Sequence, residues 1–158
     1  MNVESVIEKI QSRQSFLSLE ISPSLSARLG TQLIEQLQDT QGVDAFVCTD
    51  SPLARLKPSS ILSSIKLQQK FNKVVICTLA MRDRNSIALC GDLLAANEFG
   101  LRTFLTLTGD NIKLGDCAEA KGVFEDNALK LGSIIDGLNA GKAINGKMLK
   151  ESVDRIYN

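Results

Sequence analysis

Apolar residues along this chain switch between two spacings in a regular rhythm. Four short, nearly continuous apolar runs, at residues 16–21, 45–49, 74–79 and 103–108, alternate with longer stretches in which apolar residues recur every three or four positions. The short runs have strand length, and three of them are rich in β-branched residues, as buried parallel strands tend to be. The longer stretches follow the 3.6-residue period of amphipathic helices.

The first helical stretch carries Leu25, Leu29, Leu33, Ile34 and Leu37, and Gly42 follows as a C-terminal stop. The second opens at Pro58, a residue suited to the first helical position, and continues through Ile61, Leu62 and Ile65. A third spans about 85–99, with Ile87, Leu93 and Leu94 in its core stripe and Gly100 beyond its end. The fourth holds Leu129, Ile134, Ile135 and Leu138 and stops near Gly141. At the N-terminus, Val3, Val6, Ile7 and Ile10 also fall at helical spacing.

The alternation is evenly paced. Glu20, Thr49, Thr78 and Leu107, markers near the four strand ends, follow one another at intervals of 29 residues. That is close to one β-strand–helix–β-strand unit of about 30 residues, so an α/β fold with a parallel sheet and right-handed crossovers is expected. No linker divides the chain, and residues 1–158 read as a single domain. Two architectures accommodate four such units: an open doubly wound sheet, or the first half of a closed (β/α)₈ TIM-type barrel. The turn after the first strand, Glu20-Ile21-Ser22-Pro23, lacks the glycines of a nucleotide-binding doubly wound sheet. A whole barrel takes about 250 residues, and this chain has 158.

Composition narrows the choice of partners. Eighteen basic residues balance eighteen acidic ones, which leaves no basic stripe for nucleic acid and no polybasic patch for an anionic membrane. No apolar run reaches the ~20 residues that cross a bilayer. The N-terminus lacks the apolar core and cleavage site of a signal peptide, so a cytoplasmic protein is expected. There is no histidine among the residues, which removes the usual zinc signatures and histidine-based nucleophilic machinery. Cys48, Cys77, Cys90 and Cys117 are widely separated and read as reduced structural thiols, with no metal expected. Proton transfer then falls to carboxylates, tyrosine, lysine or a cofactor.

Four successive strand ends deliver polar groups. In chain order they are Glu20, then Thr49-Asp50, then Arg82-Asp83, then Thr108-Gly109-Asp110. In a barrel, that end of the strands carries the active site. A glutamate closing an apolar strand can become a general acid if partial burial raises its pKa; the bland alternative is a solvated strand-end carboxylate. Gly109 permits close backbone approach to a flat ligand beside Asp110, although Gly-Asp-Asn is also ordinary turn chemistry. Gly115-Asp116 lacks calcium-loop spacing, and Gly141-Lys142 lacks the rest of a P-loop.

With these residues in view, the chain resembles the methylenetetrahydrofolate reductases. Phe16-Leu17-Ser18-Leu19-Glu20-Ile21-Ser22-Pro23 resembles their first-strand motif, and Val43-Asp44-Ala45-Phe46-Val47-Cys48-Thr49-Asp50 their second. Met81-Arg82-Asp83-Arg84-Asn85 resembles the segment after the third strand in many bacterial members. Leu105-Thr106-Leu107-Thr108-Gly109-Asp110, with Gly115-Asp116 after it, resembles the fourth-strand motif. The likeness runs in order from about residue 16 to residue 145.

The resemblance implies the first four βα units of a (β/α)₈ barrel, a half-barrel of parallel strands. It implies reduction of 5,10-methylenetetrahydrofolate to 5-methyltetrahydrofolate in one-carbon metabolism and methionine biosynthesis. FAD rather than FMN would be the cofactor, NAD(P)H the reductant, and a folate the small-molecule substrate. Glu20 matches the general acid that protonates the folate's bridging nitrogen. Asp110 matches the aspartate near flavin and pterin. Thr49, Asp50, Thr108 and Gly109 match flavin-site positions, and Thr78 stands where many members have histidine. The chain ends about where a fifth strand would begin, so the rest of a longer protein, a homo-oligomer or a partner subunit is expected to complete the barrel. The alternative is a non-catalytic flavin- or folate-binding module, or a truncated remnant of the reductase.

Overall fold

The computed structural model of the chain describes residues 2–26 and 28–158. Among these residues nine α-helices and β-strands follow one another: α1 (Val3–Gln11), β1 (Ser18–Ile21), α2 (Thr31–Gln36), β2 (Ala45–Cys48), α3 (Ser60–Phe71), β3 (Val75–Ala80), α4 (Ser86–Glu98), β4 (Phe104–Leu107) and α5 (Ala128–Asn139), with short 3₁₀ turns at Pro52–Ala54 and Ile112–Leu114. The strands form one sheet in the order β1-β2-β3-β4, every pair parallel. The expected α/β fold with alternating βα units is therefore present.

The register divides the strand residues into two faces. Ile21, Cys48, Cys77 and Phe104 are aligned across the four strands. All four are buried under the helical layer, in apolar clusters built with α2 to α5. The larger cluster joins Leu79 and Phe104 to Ile61 and Ile65 of α3, Leu89 and Leu93 of α4, and Leu131, Ile135 and Leu138 of α5. The opposite face presents Glu20, Val47, Thr78, Ala80, Leu105 and Leu107 to a cavity.

Helix starts are fixed locally. Asn2, Ser59, Asn85 and Asn127 each accept a hydrogen bond from a backbone N–H of the following turn, a cap that ties a donor the helix itself leaves unpaired. Pro58 stands just ahead of the Ser59 cap rather than inside α3. The first expected stretch is shorter than its apolar spacing suggests: α2 starts after Gly30, so Leu25 and Leu29 lie outside it and Leu25 is exposed. Leu62, Ile87 and Leu129 are also exposed rather than in core stripes, because each sits in the first turn of its helix with no cover over it.

α1 closes the N-terminal end of the sheet. Its Val3 and Val6 pack with Ala45 and Val74, against Phe16 and Ile76. Lys9 pairs with Asp44 at 2.7 Å, and Asp44 also accepts the Leu17 N–H. These bonds, the Lys9 contact foremost, hold the Asp44 carboxyl below its ordinary range. At the other end of the chain, Asn97 and Asn139 each grip one backbone unit, at Asp154 and Ile156, through paired hydrogen bonds. This delivers Tyr157 to a single parallel rung beside Thr103. Among the described residues no helix is long and apolar enough to cross a membrane.

Candidate functional site

A cavity of about 400 Å³ opens at the C-terminal ends of the strands, within the size range of small-molecule sites. Its floor is the face of the sheet opposite α2 to α5: Val47, Ala80, Leu105 and Leu107. Leu105 is 50 % exposed and Leu107 37 %, an unusual state for two leucines on a strand beside a buried one. Glu20, Thr49, Asp50, Thr78, Thr108, Gly109 and Asp110, expected at the ends of four separate strands, all line this one cavity. The parallel register makes that possible, since it brings the ends of all four strands to the same side.

The seven residues are not equally free. The Asp50 N–H donates to Thr78 Oγ1 at 2.7 Å, while Asp50 Oδ2 accepts from the Ala80 N–H and from Arg84 Nη1, both at 3.0 Å. Buried at 7 % exposure, Asp50 therefore staples β2 to β3 and anchors Arg84. Burial works against the Arg84 charge, but the Asp50 carboxylate more than offsets it, and the guanidinium pKa ends above its ordinary value. Thr49 is buried; its N–H donates to the Ile21 carbonyl at 3.0 Å, and its hydroxyl makes a longer contact, 3.4 Å, to the same oxygen. Thr108 Oγ1 accepts the Ala128 N–H at 3.2 Å, which fastens the start of α5 to the end of β4.

Arg82 lies between the cavity and the loops above it. Only 2 % exposed, it holds Asp83 through Nε and Nη2 and donates from Nη1 to the Ser51 carbonyl at 3.1 Å. The Asp83 bonds raise its pKa further, so it is a fixed cation. Gly109 packs against it: φ is +99°, and a Cβ there would sit 2.6 Å from the Arg82 Cβ. A side chain at residue 109 meets both a left-handed backbone and a clash.

Glu20 and Asp110 carry the proton and hydrogen-bond chemistry available to a ligand. Both are exposed, so the partial burial on which a general-acid role for Glu20 depends is not supplied by this chain's own walls. Asp110 Oδ2 accepts the Leu53 N–H at 2.7 Å, which leaves its other oxygen for a ligand. The cavity thus joins an apolar floor to a rim of hydroxyls and carboxylates, a combination suited to a flat ring with polar edges. A smaller cavity of about 170 Å³ lies between Pro23, Leu33 and Leu62. It gathers no carboxylate, and we place the site in the larger one because the strand ends meet there.

Sequence reasoning missed the Asp50–Arg84 bond and the whole role of residues 51–56. The partners are 34 residues apart, and Leu53 and Leu56 act through backbone amides; side-chain identity carries no signal for either. Among the described residues no group of three Cys, Asp or Glu side chains is placed to hold a metal ion. Compared with models of known protein families, with curated proteins and with solved structures, the chain matches none.

Proposed function

We propose that this chain provides the cofactor- and folate-binding half of a methylenetetrahydrofolate reductase-like (β/α)₈ barrel. The observation that carries the reading is the convergence on one cavity of Glu20, Thr49, Asp50, Thr108, Gly109 and Asp110 from three strand-end motifs, with Arg82 of the fourth and with Thr78 of β3. Val47, Ala80, Leu105 and Leu107 offer an apolar bed for the flavin ring, and Thr49, Thr78, Thr108 and Asp110 offer hydrogen-bonding edges. The fit is to the ring end of FAD, because Arg82, the cation of the cavity wall, is already engaged by Asp83 and Ser51. A bound flavin would supply hydride transfer from NAD(P)H to the methylene carbon of the folate.

In this reading the chain's own side chains bind, orient and move one proton. The Asp110 carboxylate orients the pterin through its N–H groups. Glu20 gives a proton to the bridging nitrogen of 5,10-methylenetetrahydrofolate, which opens the five-membered ring to an iminium ready for reduction. Such a donor needs shelter from water to hold its proton near neutral pH. We therefore propose that further polypeptide, from a longer chain, a second copy or a partner subunit, completes the barrel over Glu20, Leu105 and Leu107. The unpaired edges of β1 and of β4 beyond the Thr103 rung suit added strands. The exposure of Glu20 also favours a second reading, a flavin- or folate-binding module without turnover.

The test is spectroscopic and kinetic. The purified protein is expected to be yellow or to quench the fluorescence of added FAD; a colourless protein indifferent to flavin ends the reductase reading. With turnover, Glu20→Gln should abolish folate reduction, by about 10²-fold or more, while NAD(P)H-driven flavin reduction persists. Equal loss of both half-reactions would mark a defect of folding or cofactor binding instead. Flavin binding without folate reduction in any oligomeric form would favour the non-catalytic module.

A further inference from the structure

The connection from β2 to α3 crosses the C-terminal end of the sheet and is fastened there by three long-range bonds. The Ser51 carbonyl accepts Arg82 Nη1 at 3.1 Å, the Leu53 N–H donates to Asp110 Oδ2 at 2.7 Å, and the Leu56 N–H donates to Asp116 Oδ1 at 2.9 Å. Between these bonds the backbone is held in a conformation its residues resist. Ser51, Leu53 and Ala54 have φ of 44°, 54° and 55°, in the left-handed region that side chains with a Cβ enter at a cost. Gly115 packs so tightly under Ala54 that a Cβ there would run into the Ala54 carbonyl. Pro52, in the middle of the segment, forms part of the cavity wall.

The central fastener is therefore the cavity's own carboxylate. A single N–H donor can use the free oxygen of Asp110, but a ring that offers two adjacent N–H donors engages both oxygens and so meets the Leu53 amide at Oδ2. The outer bonds, to Arg82 and Asp116, do not depend on a ligand.

We propose that residues 51–56 are a latch over the cavity, held shut by Asp110 and released when a ring bearing N–H donors takes that carboxylate. The identity of the ring, a reduced pterin, rests on the folate reading above. The latch itself rests on the bonding and the backbone.

Amide hydrogen exchange with residue resolution reads both halves, with tetrahydrofolate as the probe and equilibrium dialysis to score its binding. In the ligand-free protein, Asp110→Ala should speed exchange at Leu53 at least about tenfold, as expected for losing a bond to a charged acceptor. Leu56, fastened by Asp116, should change less. Asp110→Asn keeps an acceptor of the same shape and should fall between, which guards against a variant that simply misfolds. Bound tetrahydrofolate should speed Leu53 exchange in the unaltered protein and leave it unchanged in Asp110→Ala. Equal Leu53 exchange with and without the Asp110 carboxylate overturns the latch. Tetrahydrofolate that binds and slows or spares Leu53 overturns its release but leaves the folate reading standing. Failure of tetrahydrofolate to bind removes that reading and the release together, while the ligand-free comparison still decides whether Asp110 is the fastener.

Discussion

Leu79 and Leu105 sit on neighbouring strands of one sheet, yet Leu79 is completely buried and Leu105 is 50 % exposed. The difference is the face. Leu79 points into the layer formed by α3, α4 and α5, where it meets a continuous apolar cluster. Leu105 points to the face that carries the candidate site. One face is covered by α2 to α5, and the other opens on a cavity at the strand ends. The same strands thus build the core on one side and the candidate site on the other, and the polar residues follow suit. Asp50 is spent on stitching β2 to β3, whereas Glu20 is left in solvent.

Truncating matched residues tests this contrast most strongly. Leu79→Ala is expected to lower unfolding stability by about 2–5 kcal/mol, the usual range for a core leucine. Leu105→Ala should cost less than about 1 kcal/mol, because little packing is lost at a half-exposed position. Urea denaturation of both variants gives the comparison directly. Losses of equal size would mean that the open face is covered in solution, and sedimentation would then identify by what.

Next in size is the staple between the strands. Asp50→Ala should cost about 2–3 kcal/mol, below the full range for a broken buried ion pair because Arg84 is one-fifth exposed and keeps Asp92. Asp50→Asn, which retains an acceptor for the Ala80 N–H, should cost less. If Asp50→Asn were as damaging as Asp50→Ala, the charge rather than the hydrogen bond would hold these strands together.

The last contrast concerns the thiols, whose effect is absent near neutral pH. Burial pushes Cys48 up to about 11 and Cys77 up to about 12. At pH 8 the half-buried Cys117 is therefore expected to react with a soluble thiol reagent while Cys48, Cys77 and Cys90 react only after unfolding. The sign of the pH effect follows from linkage. An unfolded thiol ionises from about pH 9 upward, but the folded ones keep their protons. Stability should be indifferent to these groups below that value and fall as pH rises towards 11 and 12. A denaturation midpoint flat across that alkaline range, or rapid native labelling of three or more thiols, would show that the helix-covered face opens readily.

Much of this molecule was legible in one dimension. The change of apolar spacing from continuous to helical located all four strands, and the 29-residue pacing implied parallel order, because local period and crossover length are properties of the chain itself. The strand-end positions of Glu20, Thr49, Thr78 and Asp110 followed from the same pattern. Where α2 begins was not legible, since the apolar spacing of Leu25 and Leu29 continues past the Gly30 cap.

Folding in space decided what each side chain does. That Asp50 would be consumed by Ala80 and Arg84, and that Asp110 would meet the Leu53 amide, depends on which loops lie together once four strands are in register. Those bonds join residues 30 to 57 positions apart, and backbone donors look the same whatever residue bears them. Leu79 and Leu105 are the same letter in the sequence. Only the helices packed over one face of the sheet made them different.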